Sequence, residues 1–136
     1  MVKNINRDVF FLKQKSSLAN PLDKVIGQDL RDTLFAHSHE CVGMAANMIG
    51  VSKRIICFKD EQKLTLMYNP VIVEKKDSYE AMEGCLSLSG ERKTTRYKRI
   101  KVSYLDESFK QKIKTYYDFT AQIIQHEIDH CDGILI

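Results

Sequence analysis

Apolar residues recur at helical spacing in two N-terminal stretches of the chain. A short cluster, Val9-Phe10-Phe11-Leu12, predicts a first helix within residues 8–17. Asn20 followed by Pro21 is typical of a helix start, where the missing N–H of proline costs nothing. The apolar residues that follow predict an amphipathic helix over residues 21–36, whose packing face consists of Val25, Ile26, Leu30, Leu34 and Phe35.

Five later runs are rich in β-branched and aromatic residues and predict strands at residues 54–58, 64–69, 71–75, 100–105 and 109–117. The last two runs, joined through residues 106–108, place on one face Val102, Tyr104, Ile113 and Thr115, and on the other Lys101, Ser103, Lys112 and Lys114. This alternation indicates antiparallel strands with one solvated face. Helices, then strands, then a closing helix predict an α+β fold in which antiparallel sheets pack around the C-terminal helix.

The closing helix is predicted to begin near Asp118 or Thr120, which both suit the N-cap position. Its packing stripe consists of Ala121, Ile124 and Ile128, and Gly133 suits the position just after its end. A second line of residues spaced by four runs along the same helix and contains Gln122, His126 and His130.

Length and composition predict one globular domain over residues 1–136, with 43% hydrophobic residues. The net charge of +3 is spread along the chain without a block of like charges, which argues against nucleic acid as the main partner. The N-terminus lacks the apolar core of a secretory signal, and no apolar run approaches the roughly 18 residues of a membrane span. We therefore expect a cytoplasmic protein without a membrane partner.

The four cysteines show no C-x-x-C spacing and are too sparse for a disulfide scaffold; they are Cys41, Cys57, Cys85 and Cys131. In a reducing compartment they are thiols. Cys57 lies inside an apolar run, so we expect it to be a small buried side chain.

The closing helix carries the motif His126-Glu127-Ile128-Asp129-His130. Two histidines four residues apart lie on one helix face, and Glu127 projects beside them, so a divalent metal with a candidate base is the natural interpretation. The alternative is an exposed polar helix with coincidental spacing. Cys131 and Asp132 lie about 100° and 200° around the helix from His130, so a third ligand has to come from upstream.

Three upstream segments carry residues of chemical interest. His37 and His39 could hold metal in a loop, but an exposed helix end is the favoured interpretation. Two glycines, Gly43 and Gly50, bracket small side chains, which indicates backbone that passes close to another element or a ligand. Cys85 follows Gly84, so it is either a thiolate site approached closely by backbone or metal, or a core cysteine.

Together, the segments Gly43-Met44-Ala45-Ala46, Glu83-Gly84-Cys85-Leu86-Ser87 and Gln125-His126-Glu127-Ile128-Asp129-His130 resemble, in order and spacing, the three motifs of the peptide deformylases. These enzymes remove the formyl group from the initiator methionine of new bacterial polypeptides. The resemblance runs from about residue 8 to the C-terminus. It implies that Cys85, His126 and His130 hold one divalent ion, typically ferrous iron, with zinc, nickel or cobalt able to occupy the site.

The resemblance also implies roles for the surrounding residues. Glu127 would take a proton from a metal-activated water and pass it to the leaving amine. The backbone N–H of Leu86 would stabilise the oxyanion, and Gly43 and Met48 would lie at the substrate. The implied partners are an N-formylmethionyl peptide and, transiently, the ribosome. Relatives carry an added C-terminal helix or tail, so we expect any ribosome contact made by that tail to be missing here.

Two positions depart from the usual first motif, G-x-G-x-A-A-x-Q. Cys41 replaces the first glycine and Met48 replaces the glutamine, whose amide donates to the formyl oxygen in the family. A thioether donates no hydrogen bond, and loss of one oxyanion donor typically costs about 10²–10³ in rate. The hypothesis is a slow or altered deformylase.

Two alternatives stand beside this hypothesis. One is a weakly active or inactive relative that binds formylated peptides or holds metal structurally, although the intact Glu127 argues against it. The other is a metallopeptidase that shares the helix motif. A third metal ligand further downstream would have supported it, and we expect no room for one there. Finally, Gln122 should face the same cleft as His126 and make the pocket less uniformly apolar than methionine would prefer.

Overall fold

Helices precede and follow the strands along the chain, as predicted. The computed structural model describes residues 1–135. In chain order the elements are α1 (Val9–Leu12), a 3-10 helix (Pro21–Asp23), α2 (Lys24–Ala36), β1 (Gly43–Ala45), a second 3-10 helix (Ala46–Ile49), β2 (Ile55–Asp60), β3 (Lys63–Cys85), β4 (Leu88–Leu105), β5 (Gln111–Tyr117) and α3 (Asp118–Cys131).

The five strands form one sheet in the order β1-β2-β3-β4-β5, and every neighbouring pair is antiparallel. Strands that follow one another in the chain lie side by side, because short turns suffice to join antiparallel neighbours. The strand β2 is buried on both faces: Ile56 belongs to the apolar cluster under α3, and Cys57 belongs to the cluster under α2. The sheet therefore packs between these two helices, and the prediction of a buried Cys57 is confirmed.

The long hairpin of β3 and β4 differs most from the prediction. Residues 64–69 and 71–75 are one strand, not two, and it continues to Cys85 with irregular pairing at Tyr68/Val71 and Ile72/Glu74. Residues 76–85 and 88–99 were not predicted as strands. Their exposed positions are largely polar on both faces, so no alternation marks them. They are held by cross-strand pairs such as that of Lys93 Nζ with Glu80 Oε2 at 3.0 Å.

The predicted packing face is confirmed in β4 and wrong in β5. Val102 and Tyr104 are buried. In β5, Ile113 is 63% exposed, and Tyr116 is buried instead. In the sheet, Val102 of β4 lies opposite Lys114 of β5. The lysines of β5 therefore lie on the same face of the sheet as Val102, but beyond the edge of the core. The strand itself begins at Gln111 rather than at residue 109.

The predicted helices exist, with corrections to their lengths and faces. The first covers Val9–Leu12, within the predicted residues 8–17. The predicted helix over 21–36 begins as a 3-10 turn, capped by Asn20, before α2 starts at Lys24. Its residues Leu30 and Leu34 are buried as predicted and Ile26 packs against them, but two predicted packing residues are largely exposed, namely Val25 and Phe35. No helix within residues 1–135 combines the length and apolar composition that crossing a bilayer requires.

The closing helix α3 begins at Asp118, one of the two predicted starts, and buries its predicted stripe of Ala121, Ile124 and Ile128. This stripe packs on the face of the sheet that carries Ile100 and Val102. This packing places Gln122, His126 and His130 of α3 near the C-terminal end of β3.

Candidate active site

Three potential metal ligands from two elements meet at one point. Cys85 ends β3, and His126 and His130 lie one turn apart on α3. Their ligand atoms all lie within 4.8 Å of one another. Both histidines are buried, with exposed fractions of 8% and 0%. The alternative of an exposed polar helix is therefore wrong.

The chemistry of these donors fits a divalent metal ion. Nδ1 of His126 lies 2.8 Å from a carboxylate oxygen of Glu83, so this nitrogen is the donor, and in the neutral ring Nε2 carries a lone pair. Nε2 of His130 lies 3.2 Å from Nε2 of His126. A cation shared by the two nitrogens satisfies both lone pairs, and the thiolate of Cys85 completes a donor set typical of catalytic zinc and iron sites.

The carboxylate of Glu83 accepts several hydrogen bonds next to this centre. Arg96 donates to it twice, from Nη2 at 2.7 Å and from Nε at 2.9 Å, and Gln122 donates from Nε2 at 2.9 Å. Burial alone would raise the pKa of Glu83, but hydrogen bonds from His126, Arg96 and Gln122 lower it to about 2. Glu83 is therefore an anion throughout the physiological range and orients His126.

The two histidines have opposite pKa shifts in the metal-free protein. Burial lowers the pKa of His126, but its hydrogen bond with Cys85, the charge of Glu127 and the bond with Glu83 raise it to about 10. Burial and the neighbouring His126 lower the pKa of His130 to about 3. Glu83 and Glu127 thus favour positive charge at His126, whereas His130 stays neutral and can offer a lone pair to a metal ion.

Glu127 lies beside the ligands and is 4% exposed, and its Oε1 has no hydrogen-bond partner among residues 1–135. Burial raises its pKa to about 7. Gly43 leaves the room that this side chain occupies, because a Cβ at position 43 would lie 2.9 Å from Glu127 Oε2 and 2.7 Å from Ile123 Cγ2. The predicted close approach of the backbone is confirmed at Gly43, whose neighbour is the candidate base. It is wrong at Gly50, where a Cβ would meet nothing within 4 Å in the described part of the chain.

A cavity of about 470 Å³ opens onto this centre. The residues predicted at the site that line it are Gly43, Met48, Cys85, Leu86, His126 and Glu127. Met82, Phe119 and Ile123 add apolar surface, and Gln122 lies on the same wall, as predicted. The structure thus brings together segments that lie more than 80 residues apart in the chain.

Both departures in the first motif line this cavity. Met48 is 1% exposed, and its Sδ lies 3.4 Å from the backbone N–H of Ala45. Cys41 donates through Sγ to the carbonyl of Gly43 at 2.9 Å, and burial raises its pKa to about 12. Cys41 is therefore a neutral thiol that ties the β1 backbone, not a nucleophile.

The other histidine pair lies outside this centre. Nδ1 of His37 contacts Glu40 at 2.7 Å, and the side chain of His39 is 77% exposed. Both follow the end of α2, so the favoured prediction of an exposed helix end is confirmed.

The sequence matches the polypeptide deformylase family over residues 5–136. The chain belongs to this family. A peptide deformylase of Clostridium beijerinckii is 53% identical over 136 residues and covers the full length of both chains. Peptide deformylase 3 of Shewanella oneidensis is 38% identical over 130 residues, which cover 90% of this chain and 78% of that relative.

Solved deformylase structures share the fold. The Met-Ala-Ser-bound class I type b peptide deformylase of Acinetobacter baumannii superposes with a TM-score of 0.89 at 26% identity, and the match covers 99% of this chain and 97% of that one. The peptide deformylase of Thermus thermophilus gives 0.87 at 31% identity, with 99% and 83% covered. The α+β prediction is confirmed.

The sequence did not reveal the residues that hydrogen-bond to the deformylase motifs. Arg96 bridges Glu83 and Asp129, with Nη1 2.6 Å from Asp129 Oδ2. Asn47 donates to the carbonyl of His130 at 2.8 Å and ties the end of α3 to the first motif. One feature of the sequence indicated Arg96. It is separated from Ile100 and Val102 by an even number of positions, so its side chain lies on the same inward face of β4.

Proposed function

We propose that Cys85, His126 and His130 hold one divalent metal ion and that Glu127 is the catalytic base of this peptide deformylase. The protein removes the formyl group from the N-terminus of nascent polypeptides. One observation carries the assignment of residues: the three ligand atoms lie within 4.8 Å of one another on the wall of the cavity that also contains Glu127.

The protein groups have complementary tasks in this hydrolysis. A bound divalent ion supplies Lewis acidity and lowers the pKa of water toward about 7. Glu127 accepts the proton of the attacking water and delivers it to the leaving amine, and its own pKa of about 7 suits both transfers. Leu86 directly follows Cys85 at the cavity, so its backbone N–H is the proposed donor to the oxyanion.

The proposed native ion is Fe²⁺, and Zn²⁺, Ni²⁺ and Co²⁺ suit the same ligands. One thiolate and two imidazoles are ligands that all four ions accept, so the donor set agrees with the family's metal dependence. The metal present after anaerobic purification tests this assignment.

The substrate proposed for the cavity is an N-formylmethionyl peptide. Met48, Met82, Phe119 and Ile123 provide apolar surface for the first side chain. Gly43 and Leu86 place backbone groups beside the formyl group. Residues 1–136 form one deformylase domain in this proposal, and the enzyme works in the cytoplasm with transient access to nascent chains at the ribosome.

The assignment is tested by metal analysis and kinetics on the same variants. We expect about one metal ion per chain after anaerobic purification, and release of formate from formyl-Met-Ala-Ser without cleavage of Met-Ala-Ser. Cys85→Ala and His126→Ala should lose the ion. Cys57→Ala is the matched control, because Cys57 is a fully buried thiol of β2 that is not one of the three proposed ligands. Full metal content in Cys85→Ala would contradict the proposed ligand set.

A further inference from the structure

Gln122 stands in the cavity wall one turn before His126, and both ends of its amide are bonded. Its Nε2 donates to Glu83 Oε2 at 2.9 Å, and its Oε1 accepts from the hydroxyl of Tyr79 at 3.3 Å. Glu83 in turn contacts Nδ1 of His126 at 2.8 Å. A continuous chain of hydrogen bonds therefore runs from Tyr79, through Gln122 and Glu83, to a proposed metal ligand.

The carboxylate of Glu83 uses all of its acceptor positions in this arrangement. Oε1 interacts with Arg96 Nη2 and His126 Nδ1, and Oε2 accepts from Arg96 Nε and Gln122 Nε2. A carboxylate has about four such positions. Without Gln122, one lone pair of a buried anion faces the cavity and competes for water or substrate groups.

Tyr79 determines which way the amide points. The amide has a donor end and an acceptor end, and only its donor end suits the carboxylate of Glu83. The hydroxyl of Tyr79 supplies the donor that the other end needs, and burial together with the charge of Glu83 raises the pKa of Tyr79, which keeps its proton in place.

We propose that Gln122 is a positioning residue for the metal centre: oriented by Tyr79, it holds Glu83 against His126 and shields that carboxylate from the substrate cavity. This proposal rests on the metal site proposed above. Both polar ends of the Gln122 amide are hydrogen-bonded within the protein, so the amide is less available to a substrate than the sequence alone suggests.

The rate at which the loaded protein releases its metal to a competing chelator tests the proposal. Loss of groups that orient metal-bound histidines typically costs about 10- to 100-fold in metal affinity. Gln122 acts one step further away, so we expect Gln122→Leu to release Zn²⁺ roughly 10-fold faster than the wild type and Tyr79→Phe about 3-fold faster. The visible spectrum of the Co²⁺-loaded Gln122→Leu protein should also change.

A double variant shows whether Tyr79 and Gln122 act through one chain of hydrogen bonds or independently. Because Tyr79 acts through Gln122, Tyr79→Phe should add nothing to metal release in the Gln122→Leu background. The control for stability is Ile124→Val, a core truncation on the same helix, which should lower the melting temperature without changing metal release.

Each outcome decides the matter. Wild-type metal release in Gln122→Leu, or a Tyr79→Phe effect that persists in the double variant, overturns the proposal. If Gln122→Leu does not fold, Tyr79→Phe decides, and unchanged release in that variant counts against it. A wild-type protein that holds no metal at Cys85, His126 and His130 refutes the proposed function instead, so the two failures are distinguishable.

Discussion

Glu83 Oε1 lies 2.8 Å from Nδ1 of His126, although 43 residues separate them in the chain. Glu83 precedes Cys85 by two residues in β3, so one short stretch supplies both a proposed ligand and the group that orients another. The hydrogen bond selects the tautomer that leaves Nε2 free for a metal. Four predictions test this contact and its surroundings.

Glu83→Gln should weaken metal binding about 10- to 100-fold, because the neutral amide orients His126 less strongly. It also leaves Arg96 buried with fewer charged partners, which should lower the free energy of unfolding by roughly 3–5 kcal/mol. Metal competition and urea denaturation measure the two effects. The control is Glu80→Gln, an exposed carboxylate of the same strand paired with Lys93, and no change is expected there. Equal metal affinity in wild type and Glu83→Gln would disprove the orienting role.

Gly43→Ala should reduce deformylation by about 10²-fold, since small displacements of a catalytic group carry penalties of this order. The added methyl group would lie 2.9 Å from Glu127 Oε2 and must displace the base or the β1 backbone. Overpacking should cost about 1–3 kcal/mol of stability. Gly84→Ala is the control for stability, because a Cβ there meets its nearest atom at an ordinary contact distance of 3.5 Å. Full activity in Gly43→Ala would show that the base tolerates the displacement.

Glu127→Gln should abolish deformylation and stabilise the metal-free protein above neutral pH. The pKa of Glu127 rises from 4.5 to about 7 on folding, so the folded state binds this proton more tightly than the unfolded state. The associated stability is fully present below pH 4.5 and is lost as the pH rises through about 7. At about 1.4 kcal/mol per pKa unit, Glu127→Gln should gain roughly 3 kcal/mol at pH 8 relative to the wild type.

Urea denaturation of the metal-free proteins at pH 4 and pH 8 checks this prediction. The wild type and Glu127→Gln should differ at pH 8 much more than at pH 4. The exposed Glu91 supplies the control, and Glu91→Gln should follow the wild-type profile. A Glu127→Gln profile parallel to that of the wild type would contradict the raised pKa.

Met48→Gln should increase turnover of formyl-Met-Ala-Ser at least 10-fold. The thioether of Met48 lies in the cavity wall but donates no hydrogen bond, and one oxyanion donor is typically worth about 10²–10³ in rate. Met48→Leu serves as control, since it also lacks a donor and should leave turnover nearly unchanged. Equal and high rates in the wild type and Met48→Gln would remove the hypothesis that Met48 slows the enzyme.

The sequence alone determined the parts of the site that lie on one regular element. His126, Glu127 and His130 are neighbours because a helix repeats every 3.6 residues, and the buried stripe of α3 follows from the same geometry. Alternation likewise predicted the packed face of β4 through Val102 and Tyr104. Cys85 could be assigned to the centre only through its resemblance to the deformylase motif.

Only the tertiary structure decided how the β3–β4 hairpin reaches the helix. Residues 76–85 and 88–99 form strands through cross-strand hydrogen bonds and charge pairs, which leave no periodic apolar pattern in the sequence. That hairpin places Glu83 and Arg96 behind His126, and Tyr79 beside Gln122. Such contacts depend on strand register and on packing between elements, and local sequence patterns determine neither.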